Sequence, residues 1–187
     1  MAASVIQWQR LDEPGFEWCS VRQVGGGRTI EGVALVALEG DPWRVDYTIE
    51  VDEAGRTRRA SIRAMGGDEA GRMQTVELEA NGAGRWRRDD ALIIDAPDCL
   101  DIDLGFSPVT NSLPIWRLGL PVGSRTEIRV AWVLFPSLEV VEGRQSYERL
   151  DEVTWRYRSE GFAADLTVGD DGLVDDYAGY WRAIARG

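Results

Sequence analysis

Asp98-Cys-Leu-Asp-Ile-Asp-Leu-Gly-Phe-Ser-Pro-Val-Thr-Asn-Ser-Leu-Pro-Ile-Trp-Arg-Leu118 is the stretch that decides the fold. Leu100, Ile102 and Leu104 alternate with Asp101 and Asp103, the period of a strand with one apolar face and one face carrying two carboxylates. Gly105, Pro108 and Pro114 then break the alternation, and Leu113, Ile115, Trp116, Leu118 and Leu120 crowd together after them. Thr110, Asn111 or Ser112 can cap a helix N-terminus. The pattern predicts a short buried helix directly after a strand.

Outward from this stretch, turn signals recur: Gly25-Gly26-Gly27, Glu39-Gly40-Asp41-Pro42, Asp52-Glu53-Ala54-Gly55, Asn81-Gly82-Ala83-Gly84, Glu142-Gly143, Ser159-Glu160-Gly161 and Asp170-Asp171-Gly172. Short segments of period two lie between them, such as Val45, Tyr47, Ile49 and Val51, or Phe162, Ala164, Leu166 and Val168. Sequential antiparallel pairing then gives a mainly β fold, a many-stranded antiparallel meander, in one domain over 1–187. A sheet of so many strands must close, split or curl. Near the carboxyl end, the spacing of Tyr177, Tyr180, Trp181 and Ile184 allows a final short helix, which Gly179 opposes.

All 21 basic residues are arginine, and histidine and lysine are both absent. Ser-His-Asp and Cys-His nucleophiles, histidine bases, lysine Schiff bases and nearly all catalytic zinc sites need one or the other, so the chain alone supports none of them. No metal site and no cofactor are expected. Carboxylate chemistry, arginine recognition and binding survive. The net charge of −11 argues against nucleic acid or an anionic membrane surface as partner. Arg85-Trp86-Arg87-Arg88 and the set Arg56, Arg58, Arg59, Arg63 read as solvated strand faces, with anion recognition as the alternative. Val24-Gly25-Gly26-Gly27-Arg28 lacks the spacing and the lysine of a phosphate loop and reads as a hairpin turn. Cys19 and Cys99 make no disulfide framework. The amino-terminal residues lack the features of a signal peptide, and the best apolar run, Val33 to Leu38, is one strand long. A cytoplasmic protein with reduced thiols and no membrane insertion is the expectation.

The run from Asp98 to Ile115 resembles the hallmark of a bacterial family described as putative glycolipid-binding proteins. Tyr47 through Asp52 with Thr57-Arg58, and Ala164-Asp-Leu-Thr-Val through Gly172-Leu-Val with Tyr177 and Trp181, are weaker matches. Together they extend from about residue 15 to the carboxyl end. The chain departs from the pattern at Arg56, where the family carries an aromatic residue before the Thr-Arg pair. The resemblance implies a spiral β-roll, a many-stranded antiparallel sheet curled around one short central α-helix, and a homodimer. Its layout is similar to the carriers that ferry lipoproteins to the outer membrane.

Seven residues emerge as candidate ligand contacts: Asp101, Asp103, Asn111, Trp116, Arg117, Trp155 and Tyr157. Asp101 and Asp103 stand about 7 Å apart on one strand face, a spacing that suits glycoside hydrolysis or a divalent metal, although a solvent-facing or turn-capping pair is the simpler expectation. Turned inward, they need a partner, and Arg117 is placed to be one. Thr110, Asn111 and Ser112 suit helix capping or sugar contacts. Trp116 and Arg117, adjacent on the helix, point in different directions, one to the core and one to a cavity mouth. Trp155 and Tyr157 share a strand face that fits core packing or sugar stacking. The leading expectation is a non-enzymatic binding protein for an amphiphile, a glycolipid by the resemblance, held in an apolar interior beside the helix. A carboxylate-dependent enzyme on a sugar-containing substrate and a dimeric protein-interaction module are the alternatives.

Overall fold

The structure, a computed structural model, describes residues 3–67 and 72–187, so Met1 and Ala2 of the amino-terminal stretch read above lie outside it. Strand accounts for 64% of the described residues. Eight strands follow one another first: β1 (Ala3–Arg10), β2 (Gly15–Val24), β3 (Gly27–Leu38), β4 (Asp41–Val51), β5 (Thr57–Gly66), β6 (Met73–Ala80), β7 (Arg85–Arg88) and β8 (Ala91–Asp95). Strand β9 (Cys99–Leu104) leads through a 3-10 turn at Val109–Asn111 into helix α1 (Ser112–Leu118). Six strands complete the chain: β10 (Arg125–Val133), β11 (Val140–Arg149), β12 (Thr154–Ser159), β13 (Phe162–Val168), β14 (Val174–Tyr177) and β15 (Trp181–Arg186).

All fifteen strands belong to one open sheet, in the order β8-β7-β6-β5-β4-β3-β2-β1-β15-β14-β13-β12-β11-β10-β9. Two meanders are thus zipped together where β1 pairs antiparallel with β15. Among the described residues the single parallel pair is β9 with β10. A parallel pair requires a crossover, and the helix of the Asp98–Leu118 stretch is that crossover. The mainly β roll around one short helix stands as expected.

The sheet curls because its two ends share a core. Ile102 and Leu104 of β9, Phe106 and Leu113 join Ile30, Ile49, Ile62, Leu78 and Trp86 in one apolar cluster. Ile115 and Leu120 instead join Ile128, Val130, Tyr147, Trp155, Tyr157, Leu166 and Val174 in a second. Helix α1 therefore sits between the meanders and presents apolar residues to both. Burying Trp86, with its Nε1 donating to the Cys99 carbonyl at 2.8 Å, ties β7 to β9.

Two expectations change at this level. Asn111 holds the N-cap position without a side-chain cap bond, because the preceding 3-10 turn already occupies the backbone there and frees the amide for other partners. At the other end Gly119 adopts the left-handed conformation, φ 52°, and its N–H returns to the Ile115 carbonyl, which closes the helix. The region of Tyr177 to Ile184 forms β14 and β15 rather than a helix, because Gly179 at φ 82° turns the chain. The aromatic spacing there reflects rings packing across a hairpin, with Tyr177 and Tyr180 centroids 5.4 Å apart.

Candidate functional site

The β9–α1 insertion carries most of the chemistry. Asp101 is fully buried, against the simpler expectation of a solvent-facing pair, and Arg117 grips it with both arms: Nε donates at 3.1 Å to Oδ1 and Nη2 at 2.5 Å to Oδ2. Burial pushes the Asp101 carboxyl up while the guanidinium pulls it down. The pair locks helix to strand and leaves no surface of Asp101 exposed. It sits on a strand enclosed on both sides, so alternation there distinguishes two buried environments instead of core from solvent.

Asp103 is placed differently. Its Oδ1 accepts from Thr110 Oγ1 at 3.1 Å and its Oδ2 from Gln145 Nε2 at 2.5 Å. No arginine pairs with it among the described residues, and burial pushes its carboxyl up against the pull of those two neutral donors. Thr110 Oγ1 also accepts the Leu104 N–H, so one hydroxyl fixes both the strand end and the carboxylate. Beside it, Tyr147 donates to Asn111 Oδ1 at 2.9 Å.

Asp103, Asn111 and Tyr157 open onto a cavity of about 390 Å³ beside the 3-10 turn. Aromatic rings dominate its walls: Trp132, Phe162, Tyr177, Tyr180 and Trp181 join Tyr157 and Phe106. They support one another, Tyr157 tilted against Phe162 at 6.0 Å, and edge to face for Phe162 against Tyr180 at 5.3 Å and Tyr157 against Tyr177 at 6.1 Å. Trp132 and Tyr180 remain 40% and 37% exposed, so ring surface is open to a ligand. Arg10, bound to Asp12 through two hydrogen bonds of 2.8 and 2.9 Å, lies at the same cavity.

The other candidates fall elsewhere. Arg117 borders a second space, a groove of about 900 Å³. Trp116 lines neither: its Nε1 donates to the Asp171 carbonyl at 2.8 Å and the Arg28 guanidinium lies 4.7 Å from its ring centroid. That contact exists because Gly172, at φ 79°, has no Cβ to collide with the indole. Trp155 is core, 3% exposed, with Arg149 over its ring. Of the seven candidates, the structure brings Asp103, Asn111 and Tyr157 to one cavity. Sequence reasoning did not name Trp132, Phe162, Tyr177, Tyr180 or Trp181 as site residues, although Tyr177, Tyr180 and Trp181 had stood out through their spacing and, for Tyr177 and Trp181, through the family resemblance.

A buried acid was also missed. Glu17 is 1% exposed on β2, where Tyr47 donates to its Oε1 at 2.5 Å and Ser107 at 2.7 Å, and its Oε2 has no partner. Burial pushes this carboxyl up to about 8, so it is held as the neutral acid below that pH. Tyr47 reaches it because its ring lies flat over the strand opposite, where Gly32 leaves room. Ser107 connects the acid to the cavity wall. Cys19 and Cys99 are buried free thiols. Among the described residues no group of three or more Cys, Asp or Glu side chains is arranged to hold a metal, and no helix is long and apolar enough to cross a membrane.

A curled, single-sheet β architecture with a helix in its concavity is the class this geometry defines. The fold is similar to that of a β-barrel-like protein of the DUF1849 domain from Brucella abortus, 8% identical over 98% of this chain and 95% of that one, with a TM-score of 0.56. Within the class the chain belongs to the family described as "Putative glycolipid-binding", which matches residues 5–183. A DUF1089 family protein from Pseudomonas aeruginosa, known from a crystal structure, is 34% identical over 90% of this chain and 92% of its own, with a TM-score of 0.77. No protein with curated annotation matches the chain.

Proposed function

We propose that the protein binds an amphiphile with a sugar head group, and that the sugar enters the aromatic cavity beside the 3-10 turn. The observation that carries this reading is the union, in one cavity of about 390 Å³, of open aromatic faces with Asp103 and Asn111. Aromatic faces suit the apolar side of a pyranose, and a carboxylate and an amide oxygen suit its hydroxyls. The volume falls in the range of small-molecule sites. Family membership supports the same reading. The interior around Val109, Leu113 and Ile115 is filled by side chains, which favours capture of the head group over enclosure of long acyl chains.

Dodecyl β-maltoside below its micellar concentration is a direct probe. Addition is expected to raise the melting temperature and to change tryptophan fluorescence through Trp132 and Trp181. In Tyr180→Ala, where a partly exposed ring is removed, the affinity is expected to fall about tenfold with little loss of stability. Equal affinity in that variant places the ligand elsewhere.

A further inference from the structure

The groove of about 900 Å³ differs in kind from the aromatic cavity and meets it at Ser159, which lines both. Its walls carry Arg117, Arg125, Arg129, Arg144 and Arg158 against the acids Asp98 and Glu127, on a protein whose net charge is −11. Leu100, Leu118 and Ile128 add apolar surface.

Three features of this groove lack an internal explanation. Arg129 of β10 stands directly opposite Arg144 of β11 in the antiparallel register, an arrangement that repels. Arg129 has only a loose contact with Glu142 at 3.5 Å between half-exposed side chains, and Arg144 has no ion-pair partner among the described residues. Between Arg144 and Arg158 lies Ser146, paired across the strands with Arg158 and Glu127, 4% exposed, its Oγ without any hydrogen-bond partner. A buried hydroxyl with no partner destabilises the fold, and opposed arginines add to the cost. One group relieves all three, a compact anion that accepts hydrogen bonds.

We propose that this groove binds the phosphate of a phosphate monoester, with Arg129 and Arg144 as the cationic contacts and Ser146 as a hydroxyl donor, beside an Arg158 that Glu148 already holds at 2.8 Å. Guanidinium forks suit phosphate oxygens in geometry and charge. The apolar residues beside them and the junction with the aromatic cavity fit a phosphate carried on an amphiphile. The inference stands apart from the sugar reading, since neither site supplies the other's contacts.

Calorimetric titration of the full chain with dodecyl phosphate and with inorganic phosphate tests it, beside dodecyl β-maltoside. Dodecyl phosphate is expected to bind, more weakly as salt is raised, and about tenfold more weakly in Arg144→Gln, an exposed position whose substitution leaves the fold intact. Ser146→Ala, which removes the unpartnered hydroxyl, is expected to weaken binding without lowering stability. Inorganic phosphate binding as tightly as the dodecyl ester supports the site and assigns it to the free anion; tighter binding of the ester supports it and assigns it to a lipid head group. Binding by neither, or binding unchanged in Arg144→Gln, overturns the inference. Maltoside binding that persists in Arg144→Gln bears only on the sugar reading, so the two fail separately.

Discussion

The two flanks of the β9–α1 insertion are built on opposite plans. Toward β3–β7 the strands alternate cleanly, and Ile30, Ile49, Ile62, Leu78 and Trp86 close on Ile102, Leu104 and Leu113 with almost nothing exposed. Toward β10–β15 the insertion meets tyrosines, a partly exposed carboxylate, the amides of Asn111 and Gln145, and a cavity. Polar groups in a core cost stability unless they are satisfied; one flank holds them beside open aromatic surface, the arrangement the proposed binding reading uses, whereas the other, Glu17 apart, is closed by apolar side chains.

The comparison breaks most visibly at Trp86. Trp86→Ala removes a fully buried indole and its bond to Cys99, and is expected to cost about 3–5 kcal/mol in urea denaturation while maltoside affinity stays the same. Loss of affinity as well would show that the flanks are not separable. Next in size is the lock itself. Arg117→Met leaves Asp101 buried without a partner, a loss of about 3 kcal/mol, and a second change, Asp101→Leu, is expected to restore most of it. Failure of the double variant to recover would assign Asp101 a role beyond the ion pair.

An effect read as a pH slope rather than a single loss sharpens the contrast from within the filled flank. Glu17 has an ordinary value near 4.5 when unfolded and about 8 when folded, so the folded chain keeps a proton that the unfolded chain releases. Its contribution is complete below about pH 4.5 and is lost as the pH climbs to about 8, with a slope of at most about 1.4 kcal/mol per pH unit. Glu17→Gln is expected to flatten the stability profile over that window and to gain on the parent chain as pH rises. Parallel profiles for the two proteins would contradict this.

Most of the fold was legible because hairpin grammar is local. Period-two segments between glycine turns located the strands, and the collapse of that period after Leu104 located the helix. The parallel β9–β10 pair was not legible, since pairing between the ends of two meanders depends on how the whole sheet curls. At the site, Arg117 was a foreseeable partner for Asp101 because the intervening turn brings them together. Ring spacing at Tyr177, Tyr180 and Trp181 misled, because a two-strand hairpin with Gly179 at its bend places aromatics much as a helix does. Glu17 gave no signal at all: its burial follows from Tyr47 and Ser107, which are distant in sequence and meet it only in the folded sheet.

Recognition of an amphiphile in the aromatic cavity is tested most directly by extracting the purified protein with organic solvent and weighing what is released by mass spectrometry, alongside Tyr180→Ala purified in the same way. A sugar-bearing lipid close to one per chain from the parent protein, and little from the variant, is the expected result. No lipid from the parent protein, together with no thermal shift across a glycolipid panel, would contradict it.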